Sequence, residues 1–249
     1  MIKVHQITKE FNGIRAVENV SLEINNNSVT SFIGPNGSGK STLIKLILGL
    51  IAPTSGNVEH PSTASSGYKI GYMPEISGLP TGYTGLDILK KHKYLLGYSN
   101  DQHIQSLIEI FDMNSFLKKK FKGFSKGMQK KIGFLLAFAG SPDLVILDEP
   151  FEGIDTIDRD RLNLFIKEYT TNGRSAILSS HILYDMDEIT DQALFLKNGK
   201  VMINYNPKLI GSNSKTPINI EQNPSDHGVP NNVILPNPTI TDIYRALYK

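Results

Sequence analysis

Cysteine is absent from all 249 residues, which excludes disulfides, thiolate metal sites and cysteine nucleophiles. Long apolar runs are absent too. The longest, Ile132 to Gly140, falls far short of the about 18–20 residues that carry a helix across a bilayer. Action at a membrane would therefore run through a partner. The amino terminus, Met1-Ile2-Lys3-Val4-His5-Gln6, lacks the charged-then-apolar pattern of a secretion signal. Neither sign of charge is in excess: 26 Lys and Arg face 24 Asp and Glu, a net charge of +2. That balance argues against a dedicated nucleic-acid surface. No internal repeat and no sustained heptad pattern occurs, and the latter weighs against a long coiled-coil insertion. What is present is an ordinary globular composition, 39% hydrophobic and 20% charged, sufficient for a sizeable core in one large domain or two small ones.

The first third reads as short β-branched strands at Ile2–Val4, Val20–Ile24 and Val29–Ile33. Leu43 to Leu50 is apolar around its whole circumference and predicts a helix buried against a sheet. Helical periodicity runs from Leu86 to Gly140 through Leu89, Ile104, Leu107 and Phe111, as an insertion in the sheet. A strand at Leu144–Leu147 follows, then an amphipathic helix carrying Leu162, Phe165, Ile166 and Tyr169 and stopped at Gly173. Strands at Ala176–Ser179 and Ala193–Leu196 flank a helix near Ile182 to Ile189. This alternation implies α/β architecture with a mainly parallel sheet and right-handed crossovers. Beyond residue 205 the chain is rich in Asn, Pro and Ser, with strand-like runs Ile218–Ile220 and Val233–Leu235 and a helix-like Thr241 to Tyr248.

Two segments carry chemistry. Gly34-Pro35-Asn36-Gly37-Ser38-Gly39-Lys40-Ser41-Thr42 follows an apolar strand and opens a helix, the context of a phosphate-binding loop. The glycines let the backbone curl so that N–H groups point inward, and the helix amino terminus adds partial positive charge. Lys40 is placed to reach the β and γ phosphates and Ser41 to ligate magnesium. The strand Leu144–Leu147 then ends in Asp148 and Glu149 before Pro150 stops it. In open parallel sheets ligands bind outside the carboxyl ends of strands. Neighbouring side chains on a strand point to opposite sides, which predicts separate tasks: Asp148 for the magnesium hydration shell, Glu149 for an attacking water.

The narrowing segment is Phe124-Ser125-Lys126-Gly127-Met128-Gln129, just before a helix. It resembles the signature motif of ABC transporter ATPases, with Lys126 in place of the first glycine. Taken alone it also reads as a Ser N-cap. The rest of the family series follows in order: Phe11 with Gly13 where the adenine-stacking ring belongs, Ile70 to Glu75 as a Q-loop strand with Glu for Gln, Gly153-Ile154-Asp155 as a D-loop, and His181 as the switch histidine. The resemblance covers residues 1–205 and the tail only loosely.

It implies a P-loop NTPase core with a mixed sheet and an antiparallel N-terminal part, formed by residues 1–78 and 141–205. A helical signature subdomain would span 79–140 and a tail 206–249. It further implies an ATPase that uses ATP and Mg2+. Phe11, Asn36, Gly37, Ser38, Gly39, Lys40, Ser41, Thr42, Glu75, Ser125 and Gly127 would bind nucleotide. Ser41, Glu75 and Asp148 would serve the metal, and Glu149 and His181 catalysis. The implied partners are a second ATPase subunit, identical or related, and a separate integral membrane permease, which places the chain at the cytoplasmic face of the cell membrane. Ser-Lys-Gly-Met and the Q-loop Glu resemble exporter branches. Two rivals stand beside this reading: a non-transport ABC ATPase acting on nucleic acid or ribosomes, and a regulatory nucleotide-binding module. The lysine run from Lys118 to Lys131 reads as a solvated face, with attraction of nucleotide or anionic lipid as the alternative.

Overall fold

Asn12 and Gly13 set the first turn. Both hold positive φ, +48° and +82°, the requirement of a two-residue I′ hairpin. They join β1 (Ile2–Phe11) to β2 (Ile14–Ile24), which pair antiparallel. Both strands outrun the expected segments, because bulges at Gln6 and Asn19, each with positive φ, break the alternation that marks a strand in sequence. β4 (Ser55–Glu59) completes this small sheet in the order β2-β1-β4.

The computed structural model describes residues 1–61, 67–75, 78–98, 102–181, 186–207, 218–220, 233–235 and 238–248. Its main sheet has six strands: β3 (Val29–Ile33), β5 (Ile70–Met73), β6 (Leu144–Asp148), β7 (Ser175–Ser180), β8 (Gln192–Lys197) and β9 (Lys200–Tyr205). Their order is β5-β6-β7-β3-β8-β9, parallel except for β9 at the edge. Every residue of β3, β6 and β7 is buried, as expected for parallel strands covered on both faces.

Strand alternation divides the core in two. Phe32, Leu144, Ile146 and Ile177 face α1 (Lys40–Ile47) and the small sheet. Ile33, Val145, Leu147 and Leu178 face α4 (Lys126–Phe138), α5 (Thr156–Thr171) and α7 (Ile240–Tyr248). α1 begins three residues before the expected Leu43 and stops before Leu48. Gly49 at φ +67° lets Leu50 N–H reach Lys45 O at 2.9 Å and Gly49 N–H reach Leu46 O at 3.0 Å, a helix-ending turn that needs glycine.

The expected helical stretch contains α2 (Gly85–Leu96), α3 (Gln102–Ile110) and α4, with two short 3-10 turns between α3 and α4. Of the helix expected near Ile182 to Ile189, residues 182–185 lie outside the described residues, and α6 spans Met186–Ile189. In the tail, β10 (Ile218–Ile220) and β11 (Val233–Leu235) pair antiparallel. Tyr248 closes α7 against the core, its hydroxyl donating to Leu196 O at 2.7 Å. No described helix is long and apolar enough to cross a membrane.

Candidate nucleotide site

β6, β7 and β3 are neighbours in the sheet, and their carboxyl ends lie in register: Asp148 opposite Ser179, Ile33 opposite Ser180. The segments that leave these strands therefore meet at one edge. After β3 comes the phosphate loop, with Gly37 at φ +81° and Gly39 at φ +107°. α1 opens at Lys40 with no side chain capping it, so its first N–H groups keep their affinity for an anion. Lys40 is buried, and its Nζ donates to Gly34 O at 2.7 Å and to Pro35 O at 3.3 Å. The Ser38 hydroxyl is buried without a hydrogen-bond partner.

The acidic strand end departs from the expected alternation. Asp148 is the last residue of β6, but Glu149 takes φ +49°, a left-handed turn that non-glycine residues seldom adopt. Alternation holds only while a strand continues, and the turn brings both carboxylates toward the loop. Asp148 Oδ1 accepts from Ser41 Oγ at 3.3 Å and from Ser179 Oγ at 2.5 Å. Glu149 Oε1 faces Lys40 Nζ at 3.3 Å without hydrogen-bond geometry, and Oε2 pairs with His181 Nδ1 at 2.8 Å. His181 N–H also donates to that oxygen, at 3.3 Å. Lys40 and Glu149 are each 5% exposed, so this contact is shielded from solvent. Tyr72, half-buried on β5, has its phenol pushed up to about 12 by burial and by the carboxylates of Asp148 and Glu75.

A polyphosphate fits this edge. Its oxygens would satisfy the orphaned Ser38 hydroxyl, the uncapped N–H groups and the Lys40 ammonium, which meanwhile turns back onto its own loop. A hard divalent cation fits Ser41 and Asp148, two oxygen donors already joined. No group of three or more His, Asp or Glu converges as a metal cage among the described residues.

Other expected residues stand apart. Phe11 is 47% exposed on the small sheet, with Lys9 Nζ 4.9 Å from its ring centroid. Glu75 is exposed, and no described contact joins its carboxylate to Ser41 or Asp148. Asn36 and Gly37 lie exposed at the loop tip, and Thr42 is half-buried in α1. Ser125 caps α4, its Oγ accepting from Met128 N–H at 3.2 Å. With Gly127 and Asp155 it lines a separate cleft of about 390 Å³. A Cβ on Gly127 would stand 3.0 Å from Gly153 O, so the segments of Gly127 and Gly153 approach closely, and a side chain there would need the Gly153 backbone to shift.

Two participants escaped the sequence reading. Ser179 bridges β6 and β7 by accepting from Glu149 N–H at 2.9 Å while donating to Asp148. Its place as the first hydroxyl after Ala176-Ile177-Leu178 was the available signal. The lysine run is also no uniform solvated face. Lys126 pairs with Glu152 at 2.6 Å, Lys131 pairs with Asp158, and Lys130 is buried. Lys130 falls four residues before Phe134, on the buried phase of α4.

The family profile described as ABC transporter matches residues 17–152, more than half of the chain. The chain belongs to the ABC transporter family. It is an ABC transporter ATP-binding subunit and an ATPase. It is 33% identical over 204 residues to an uncharacterised ABC transporter ATP-binding protein of Methanocaldococcus jannaschii, covering 81% of this chain and 76% of that one. A lantibiotic transport ATP-binding protein of Streptococcus pyogenes is 32% identical over 206 residues, covering 82% of this chain and 90% of the relative. Among solved structures, an ATP-binding subunit of an ABC transporter superposes with a TM-score of 0.75 at 28% identity, covering 84% of this chain and 91% of that one. The fold is that of ABC ATPase cassettes, with a mixed, mostly parallel sheet and the antiparallel N-terminal sheet already described.

Proposed function

We propose that this ABC subunit hydrolyses ATP to drive export through a separate membrane permease, with Glu149 as the base that activates water. The observation that carries this reading is the convergence of Lys40, Asp148, Glu149 and His181 at the carboxyl ends of three adjacent strands. Phosphoryl transfer asks a protein mainly for positioning and charge stabilisation. Lys40 leaves Glu149 for the β and γ phosphates, which frees Glu149 Oε1 to take a proton from water. His181 steadies the other carboxylate oxygen and reaches the γ phosphate. Ser41 and Asp148 would hold magnesium, which supplies charge neutralisation between the phosphates. Phe11, open to solvent, stacks on the adenine.

Ser125 and Gly127 lie outside this edge, which fits a head-to-tail pair in which each signature loop completes the site of a second copy. On this reading residues 1–78 and 141–205 form the ATP-binding core, 79–140 the helical unit that passes closure to the permease, and 206–249 an appended tail. The loop at Glu75 sits at a cavity of about 670 Å³ between β5, α2 and α4, lined by Tyr72, Met73, Leu79, His92 and Gly133, a suitable seat for such a partner. The assembly would then lie at the cytoplasmic face of the membrane, held there by the permease. Lys126, Met128 and Glu75 favour export, and the Streptococcus pyogenes relative named for lantibiotic transport agrees with a transport role. Glu149→Gln tests the assignment. It should slow magnesium-dependent ATP hydrolysis by about two to four powers of ten while ATP binding persists. Near-normal turnover would remove Glu149 from the role of base.

A further inference from the structure

A buried lysine with no carboxylate to pair with needs a reason, because a desolvated cation is costly unless hydrogen bonds replace its water. Lys130 is 5% exposed, and no described ion pair includes it. Its Nζ donates to two backbone carbonyls, Glu149 O at 2.8 Å and Glu75 O at 3.1 Å. Burial holds its pKa below the ordinary lysine value, against the opposing pull of the Glu152, Glu75 and Asp148 carboxylates, none of which forms a described ion pair with it. Its neighbour Lys131 offers the contrast: it takes the usual course and pairs with Asp158.

Both acceptors lie at functional bends. Glu149 holds its left-handed φ of +49° just past β6, and residues kept in such regions persist only where their surroundings over-determine them. Here the N–H side of Glu149 is tied to β7 through Ser179 Oγ at 2.9 Å, and the carbonyl side is tied to α4 through Lys130. Glu75 stands where the chain leaves β5. α4 begins at the Ser125 cap, so one side chain links the signature helix, the segment after β5 and the peptide of the candidate base.

We propose that Lys130 is a positioning residue that fixes the Glu149 peptide in its left-handed turn and registers it to α4 and the Glu75 segment. This rests on the reading of Glu149 as the base. A shift of α4 or of the Glu75 segment loosens one end of the clamp, and the aim of the Glu149 carboxylate changes with it. The effect falls on turnover rather than nucleotide affinity, because no described hydrogen bond or ion pair joins Lys130 to a phosphate-loop group.

The test compares Lys130→Met, which keeps the stem and removes both donors, with Lys130→Arg, which keeps donors. Lys131→Met loses the same charge one residue away. Full-length variants are assayed for kcat, for ATP affinity without turnover, and for melting temperature. A displacement of about 1 Å at a reacting group can cost about a hundredfold, so Lys130→Met should lose at least about tenfold in kcat while its ATP Kd stays within about threefold. Lys130→Arg should recover part of that loss, and Lys131→Met should lower the melting temperature with kcat within about threefold. If Lys130→Met does not fold, Lys130→Gln, which retains an amide donor, is read in its place. Unimpaired kcat in Lys130→Met, or a loss confined to ATP affinity, overturns the proposal. Glu149→Gln in the same series separates the two ideas. Normal turnover there sinks the base assignment and the proposal together, whereas a slow Glu149→Gln beside an unimpaired Lys130→Met sinks the proposal alone.

Discussion

Replacing Gly39 or Gly37 by alanine separates two physical costs that share one loop. Both glycines hold positive φ, +107° and +81°, so each alanine incurs strain of about 1–3 kcal/mol from a sparsely populated backbone region. At Gly37 nothing lies within 4 Å of the new Cβ, and strain is the whole cost. At Gly39 the Cβ would stand 2.6 Å from Ala16 O on β2, with Gly199 Cα 3.4 Å away. Neither backbone can yield freely. Gly199 N–H donates to Ser38 O at 3.0 Å, and Gly199 O accepts from Glu18 N–H at 2.8 Å, so the phosphate loop is clamped between β2 and the β8–β9 turn. Overpacking of this kind costs about 1–3 kcal/mol beyond the strain. A domain of this size loses about 2–4 °C in melting temperature per kcal/mol. Gly39→Ala should therefore melt about 4–8 °C below Gly37→Ala, taking about 2 kcal/mol for the added overlap. It should also bind ATP more weakly, because relief of the overlap displaces the backbone N–H groups. Scanning calorimetry of the two variants, with and without ATP, gives both numbers. Equal melting temperatures would refute the clamp.

Phe11 is exposed and supports no core, so Phe11→Ala should leave the melting temperature unchanged while raising the ATP requirement, stacking being worth about 1–3 kcal/mol per base. Phe11→Tyr should be nearly silent in the same titration, and a silent Phe11→Ala would place the adenine elsewhere. Asp87 and Asp242 have pKa values below their ordinary 3.8, Asp87 chiefly through the Thr84 hydroxyl and Asp242 chiefly through the Thr239 backbone N–H. Carboxylates depressed in this way stabilise the fold above their unfolded value and lose that contribution as pH falls through the folded one. Asp87→Asn and Asp242→Asn should thus melt below wild type at neutral pH, with the gap closing below pH 3.8. A gap constant with pH would contradict the role given to the two carboxylates.

The parts of this molecule legible in the sequence are those whose constraint is local. The phosphate loop sits between β3 and α1 because a glycine pattern, an apolar strand and an apolar helix adjoin in the chain. The acidic end of β6 is marked by its fully apolar run. β4 and β9 were missed because they are partly exposed edges, and Ser55-Gly56-Asn57-Val58-Glu59 has no apolar alternation to detect. The full length of β1 and β2 was hidden by bulges at Gln6 and Asn19. Long-range placement was invisible as well. Helical phase puts Lys130 on the buried side of α4, but a run of lysines gives no sign that it reaches Glu149 and Glu75 while Lys126 reaches Glu152, since the partners lie on other elements. The left-handed turn at Glu149 follows from tethers on β7 and α4, not from the residues beside it.

The head-to-tail pair proposed above would share each site between two copies, with Lys40 from one and Ser125 from the other. Two differently tagged chains, purified as a mixed pair, allow the lesions Lys40→Ala and Ser125→Arg to be placed in either of two ways. With one lesion in each chain, both fall in a single composite site and the second site stays intact. With both lesions in one chain, each composite site carries one. Bound ATP is counted per pair, without turnover. A shared site predicts more nucleotide bound when the lesions are divided between the chains than when one chain carries both. More nucleotide bound when one chain carries both lesions would mean that each chain holds a self-contained site, and would contradict the shared site.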